Sequence, residues 1–135
     1  MQLTKGVEYG IEGILYLARR HEGGPALIRD ISRATSIPET FLSKIFQRLV
    51  TKGLIRSRRG FRGGFRLARP AERITLREIV EAVQGPIEFH QCLDHLRARG
   101  RKHRCHVRRV FREVQRKVAS ILEQTTLEDI LQAVS

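Results

Sequence analysis

Two cysteines, Cys92 and Cys105, bound the polar stretch QCLDHLRARGRKHRC, which also holds His95 and His103. These are the side chains best suited to chemistry, because thiolates favour iron–sulfur clusters or zinc and imidazole can complete either set. Cys92, His95, His103 and Cys105 make a compact set of two cysteines and two histidines, which suits zinc. The short His103-x-Cys105 spacing is not that of common zinc fingers, and no hairpin-and-helix unit surrounds it. A reversible disulfide is a third possibility, since a flexible loop permits it and nearby arginines would lower the thiol pKa. Two idle thiols are the plain alternative. The segment is too polar to pack a core, so it either holds a ligand or merely connects.

The elements around it read in order. Residues 3–20, LTKGVEYGIEGILYLARR, place Val7, Ile11, Ile14, Leu15 and Ala18 at helical spacing, with Thr4 as a cap and HEGGP as a stop. ALIRDISRAT reads as a short helix buried through Leu27, Ile28 and Ile31. Pro38 makes SIP a turn and suits the first turn of the next helix. That helix, ETFLSKIFQRLVTKG, sets Phe41, Leu42, Ile45, Phe46 and Leu49 on one side and stops at Gly53. LIRSRRGFRGGFRLAR then reads as strands Leu54–Arg58 and Phe65–Ala68 around a glycine-rich turn. Two short helices with a tight turn form a helix-turn-helix, and a hairpin directly after the second is a wing. ITLREIVEAVQG is a further amphipathic helix, capped at Thr75 and stopped at Gly85. From residue 107, Val107, Val110, Phe111, Val114, Val118, Ile121 and Leu122 recur at steps of three and four, a narrow seam on a long charged helix. Such a seam either folds back onto its own core or pairs with a second copy, and the pairing suits a palindromic DNA site. TTLEDILQAV closes the chain as a last short helix.

Charge points the same way. Lys and Arg number 26 against 14 Asp and Glu, a formal net charge of +12. Between Glu39 and Glu72 there is no acidic residue, whereas Lys44, Arg48, Arg59 and Arg62 are among many cations there. Solvated surfaces intersperse the signs, so a one-sign helix and hairpin fit the neutralisation of phosphates. The second helix of the motif is expected in a major groove through Thr40, Phe41, Ser43, Lys44 and Arg48. Arg59 or Arg62 is expected near a minor groove, where narrow A·T tracts attract guanidinium groups. No nucleophile–base set, phosphate loop or paired acid in an apolar pocket can be read, so the chain is not expected to be an enzyme. Two cysteines, no signal-peptide core and no apolar run of about 18 residues imply a reduced, cytoplasmic setting without a membrane.

With these elements in place, the chain resembles the iron–sulfur-cluster regulator family of winged-helix transcription repressors, the IscR and NsrR type. The likeness rests on MQLTKGVEYGIEGILYLA, on DISRATSIPETFLSKIFQRLVTKGLIRSRRGFRGGFRLAR and on CHVRRVFREVQRKVASILEQTTLEDIL, and so covers nearly the whole chain. It implies a homodimer whose long C-terminal helices cross, each chain with a cysteine loop that carries a cluster. Many members have three loop cysteines, whereas this chain has Cys92 and Cys105 only. It is most similar to the RsrR-like subgroup, in which two loop cysteines and a Glu and a His of the partner's first helix hold a [2Fe–2S] cluster. On that resemblance Glu8 is a ligand, and Glu12 stands where the pattern has His. The fourth ligand is then Glu12, or one of His95, His103 and His106.

These readings converge on a mainly α fold with a small β-hairpin wing, a winged helix-turn-helix followed by a long C-terminal dimerisation helix. Residues 1–85 are expected to read DNA, 86–106 to form a cofactor-binding loop, and 107–135 to dimerise and close the chain. The expected function is a repressor whose affinity for a pseudo-palindromic double-stranded DNA operator is gated by a redox-responsive [2Fe–2S] cluster. A [4Fe–4S] cluster, zinc or no cofactor are the alternatives for the loop. The rival functions are a winged-helix regulator with Cys92 and Cys105 as a thiol–disulfide switch or zinc site, and a nucleic-acid-binding protein without a sensor.

Overall fold

A computed structural model of the 135-residue chain describes residues 2–20, 24–88 and 103–134, with side chains from His106 onward in the last stretch. Helix α1 spans Lys5–Arg19, and the Thr4 hydroxyl caps it by accepting from the Val7 amide at 3.3 Å. Helices α2 (Ile28–Thr35) and α3 (Glu39–Thr51) follow, then strands β1 (Ile55–Arg58) and β2 (Gly64–Leu67). A single 3₁₀ turn at Ala71–Arg73 leads into α4 (Leu76–Gln84). Helix α5 (His103–Gln124) is 22 residues long, and α6 (Leu127–Val134) ends the fold.

One core serves all of these elements. Ile14 of α1, Ile31 of α2, Leu42, Phe46 and Leu49 of α3 and Ile79 of α4 are completely buried. Each helix therefore turns its apolar stripe inward, the arrangement its periodicity implies. Leu27 differs from expectation: it is 40% exposed, because α2 starts after it and it occupies the extended cap position. Ile28 is only half-buried, and Ile31 anchors α2.

The C-terminal elements return to this core. The Leu127 amide donates to the Ile74 carbonyl and the Leu76 amide to the Thr125 carbonyl, both at 2.8 Å. These bonds seat Leu127 fully in the core, with Ile130 and Leu131 packed against it. The division into 1–85, 86–106 and 107–135 is thus one of chain order, and the core crosses it. Thr126 and Asp129 reciprocally cap α6, and the Thr126 amide holds the Asp129 carboxyl below its ordinary pKa.

Helix α5 begins at His103, inside the segment expected to be a loop, so Cys105 lies in its first turn. Polar residues fill that turn, and an apolar period gives no sign of it. The expected single seam on α5 splits in two. Val118 and Leu122 pack against the protein's own core, whereas Val110, Val114 and Ile121 remain 40–64% exposed. Arg77 of α4 links the helices by donating to Glu81 at 3.2 Å and to Glu123 of α5 at 3.3 Å. The paired Glu81 and Glu123 carboxylates raise the Arg77 pKa.

Candidate nucleic-acid interface

The helix-turn-helix is set by a turn of three residues. Ser36 ends α2 in the left-handed conformation at φ 60°, and Pro38 opens α3 with extended backbone. Ile37 between them is 2% exposed and pins the turn to the core, while its carbonyl accepts from the Ser32 hydroxyl. At its other end α3 closes on Gly53, whose φ of 75° is open to glycine without strain. Gly53 donates to Val50 at 2.9 Å and Leu54 to Leu49 at 3.0 Å, a Schellman closure that turns the chain straight into β1.

The wing pairs β1 with β2 antiparallel, from Ile55 opposite Leu67 to Arg58 opposite Gly64. A third short segment extends it. Ala26 and Phe65 exchange amide–carbonyl bonds of 2.8 Å in both directions, which ties the wing to the link between α1 and α2. The sequence reading put Ala26 at the start of the α2 segment, whereas α2 begins at Ile28 and Ala26 is extended. Phe65 also presents its ring edge to Phe46 of α3 at 5.0 Å, so strand, helix and link are packed as one body. Gly64 permits this closeness: its φ is +140°, and a Cβ would lie 2.6 Å from the Ala26 carbonyl oxygen. Gly64→Ala is therefore expected to cost about 2–3 kcal/mol through strain and the lost bridge. Chemical denaturation should show a lowered midpoint, and hydrogen exchange should show faster exchange at Ala26 and Phe65; unchanged protection there would refute the account.

The two ends of the exposed surface are thus held by the core. On α3, Thr40 and Lys44 are exposed, Ser43 is half-buried, and Phe41 is 57% exposed. Phe41 leans on Tyr9 of α1 with ring centroids 6.4 Å apart, so only part of its ring faces outward. Arg48 donates to the Val83 carbonyl of α4 at 2.7 Å, which braces α3 against α4. Gln47, Thr51 and Lys52 line the same shallow surface as Lys44 and Arg48, and the sequence reading did not name them as site residues. At the wing tip Arg59 and Arg62 are exposed, and Arg62 takes a positive φ of 68°. Phe61 between them is 95% exposed, an unsupported aromatic at the tip that periodicity could not mark.

The other predicted residues do not converge within the described part of one chain. Glu8 is exposed and pairs with Lys5 at 3.3 Å; Glu12 and His106 are exposed. Cys92 and His95 lie outside the described residues, as do the side chains of His103 and Cys105. Among the described residues, no three His, Cys, Asp or Glu side chains gather as a metal site. No helix among the described residues is long and apolar enough to cross a membrane.

A core-anchored helix-turn-helix, a braced basic helix and an arginine-tipped wing together make a winged helix. Residues 3–133 match the Rrf2 family, described as iron-dependent transcriptional regulators. The chain belongs to the Rrf2 family. It is 30% identical to the HTH-type transcriptional regulator IscR of Xenorhabdus nematophila over 131 residues, which are 97% of this chain and 79% of that protein. Its fold is similar to that of CymR, the global cysteine regulator of B. subtilis, with a TM-score of 0.80, 25% identity and 98% of both chains covered. A transcriptional regulator structure from Listeria innocua matches with a TM-score of 0.80 and 28% identity, over all of this chain and 89% of that one. The winged-helix fold is thereby shared with Rrf2 regulators, and this chain is a transcription regulator of that family.

Proposed function

We propose that this Rrf2 regulator is a homodimeric repressor whose hold on a pseudo-palindromic operator is gated by a [2Fe–2S] cluster. The observation that carries the DNA-reading part is the braced, one-sign surface of α3 and the wing, uninterrupted by acid from residue 40 to 71. In this reading α3 enters the major groove with Thr40, Phe41, Ser43 and Lys44, while Arg48 both braces α4 and meets phosphate. Arg59 and Arg62 reach the minor groove, and the exposed Phe61 ring lies between them. Residues 1–85 carry this surface, 86–106 the two cysteine donors, and 107–135 the pairing helix. Arg59→Ala is expected to weaken operator binding about tenfold and to lower the salt slope by about one unit. An unchanged slope and affinity in fluorescence titrations would remove Arg59 from the interface.

Support for the cluster comes from the donor chemistry and from the IscR likeness. Two thiolates with a carboxylate suit iron better than a purely hard or purely imidazole set would. Cys92 and Cys105 would hold one side of the group, with Glu8 and either Glu12 or one of His95, His103 and His106 on the other. Glu8 and Glu12 lie one turn apart on α1 and both are exposed, so a second copy can reach them. When bound, such a cluster supplies a one-electron redox centre. The test is iron, sulfide and zinc content of protein purified without oxygen, with operator affinity measured before and after exposure to air. Iron and sulfide in equal amounts, with affinity that shifts in air, support the reading; a colourless zinc protein overturns it. The pair of cysteines itself favours one second reading, in which Cys92 and Cys105 form a thiol–disulfide switch in the same DNA-binding frame.

A further inference from the structure

Helix α5 carries a second basic surface, separate in sequence from α3 and the wing. Between His103 and Leu122 the only acidic residue is Glu113, and it pairs with Lys117 at 3.4 Å. The neighbouring acids Glu81 and Glu123 are both engaged by Arg77. Arg108, Arg109, Arg112 and Arg116, with Gln115, line an open recess of about 670 Å³. Arg109, Arg112 and Arg116 are exposed, and among the described residues no carboxylate pairs with any of the four arginines. The Arg108 Nε is buried without a hydrogen-bond partner among the described residues. At 3.6 residues per turn, these arginines fall on the side of α5 roughly opposite Val110, Val114 and Ile121. Pairing through the apolar strip therefore leaves them open.

We propose that this recess binds a compact, multiply charged phosphate anion. Four guanidinium groups held on two turns of helix repel one another, and each can meet an oxyanion through two parallel hydrogen bonds. The recess is open, and four guanidinium groups and one amide border it, a set of hydrogen-bond donors suited to an oxyanion. A duplex backbone, by contrast, needs a long cationic track and not a recess.

The probe is inorganic pyrophosphate, titrated calorimetrically into the full-length protein at physiological ionic strength, without DNA. Saturable binding of about one anion per chain is expected, weakened at least tenfold by Arg112→Ala and by Arg109→Ala. Arg112→Lys should recover only part of the loss, because a lysine keeps the charge without the paired donors. Arg29→Ala on α2 removes the same charge elsewhere and should leave the affinity within twofold. Absence of saturable binding, or equal loss in Arg29→Ala and Arg112→Ala, overturns the proposal in favour of general polycation behaviour. Should Arg112→Ala instead lower the salt slope of DNA binding while pyrophosphate fails to bind the wild type, the face is a DNA contact and the proposal is wrong.

Discussion

Val114→Asp is expected to convert a dimer into a folded monomer that has lost tight operator binding. Val114 is 40% exposed on α5, beside Val110 at 45% and Ile121 at 64%, while Val118 and Leu122 of the same helix face the protein's own core. The core half of the seam keeps α5 docked in the variant, so circular dichroism and the unfolding midpoint should change little. The outward half would acquire two carboxylates in a two-fold interface, one from each copy. Burying a charge without a partner costs several kcal/mol, so dimer affinity should fall by on the order of a hundredfold or more. Sedimentation at micromolar concentration reads this directly. Phe111→Asp tests the border between the halves: Phe111 is half-buried, so that variant should lose stability as well as pairing. A wild type that sediments as a monomer at micromolar concentration would end the pairing model.

The split of that seam shows where sequence reading succeeds and stops. The three-and-four spacing from Val107 to Leu122 correctly announced a helix with an apolar stripe, yet spacing cannot say that one edge of the stripe meets α4 and the core while the other meets solvent. That depends on the backbone bonds from Leu127 to Ile74 and from Leu76 to Thr125, contacts between residues some fifty positions apart. Local signals were readable for a local reason. Thr4 and Thr75 cap through their own hydroxyls, and Gly53 and Gly85 take positive φ at the ends they terminate. The Ala26–Phe65 bridge had no such sign, since an extended residue between Pro25 and Leu27 becomes a strand only when β2 arrives beside it. The one-sign surface of α3 and the wing was legible as charge, because a run of cations without acid shows in the sequence whatever the exact placement of each. Phe61 was not, because an aromatic in a glycine-rich turn reads equally as core and as tip. The start of α5 at His103 was masked by its polar first turn, which has the composition of a loop and the backbone of a helix.

Cys92→Ala and Cys105→Ala are each expected to abolish iron binding and to leave DNA affinity insensitive to air. A thiolate is the soft, tightly held donor in the proposed set, and removing either leaves a single thiolate to hold the cluster. Glu8→Ala should behave differently. Glu8 is exposed and already paired with Lys5 at 3.3 Å, so one carboxylate–iron bond replaces an exposed ion pair of small worth. Its loss should shift the visible spectrum and speed iron release without removing iron. Glu12→His supplies the donor found at that position in the related pattern, and should slow iron release relative to wild type if Glu12 is the fourth ligand. The proposed coupling to DNA would run along bonded elements. Cys105 lies in the first turn of α5, α5 is bonded to α4 through Arg77 and Glu123, and α4 receives the Arg48 side chain of α3 at Val83. A ligand at Cys105 can bias α3 only if it favours one setting of that chain of contacts over another, since proximity shifts no equilibrium. Arg48→Ala should therefore loosen the link. It is expected to reduce the difference in operator affinity between anaerobic and air-exposed protein by more than it reduces affinity itself. Retention of full iron content and air-sensitive binding in both cysteine variants would leave residues 86–106 as a connector and assign the sensing elsewhere.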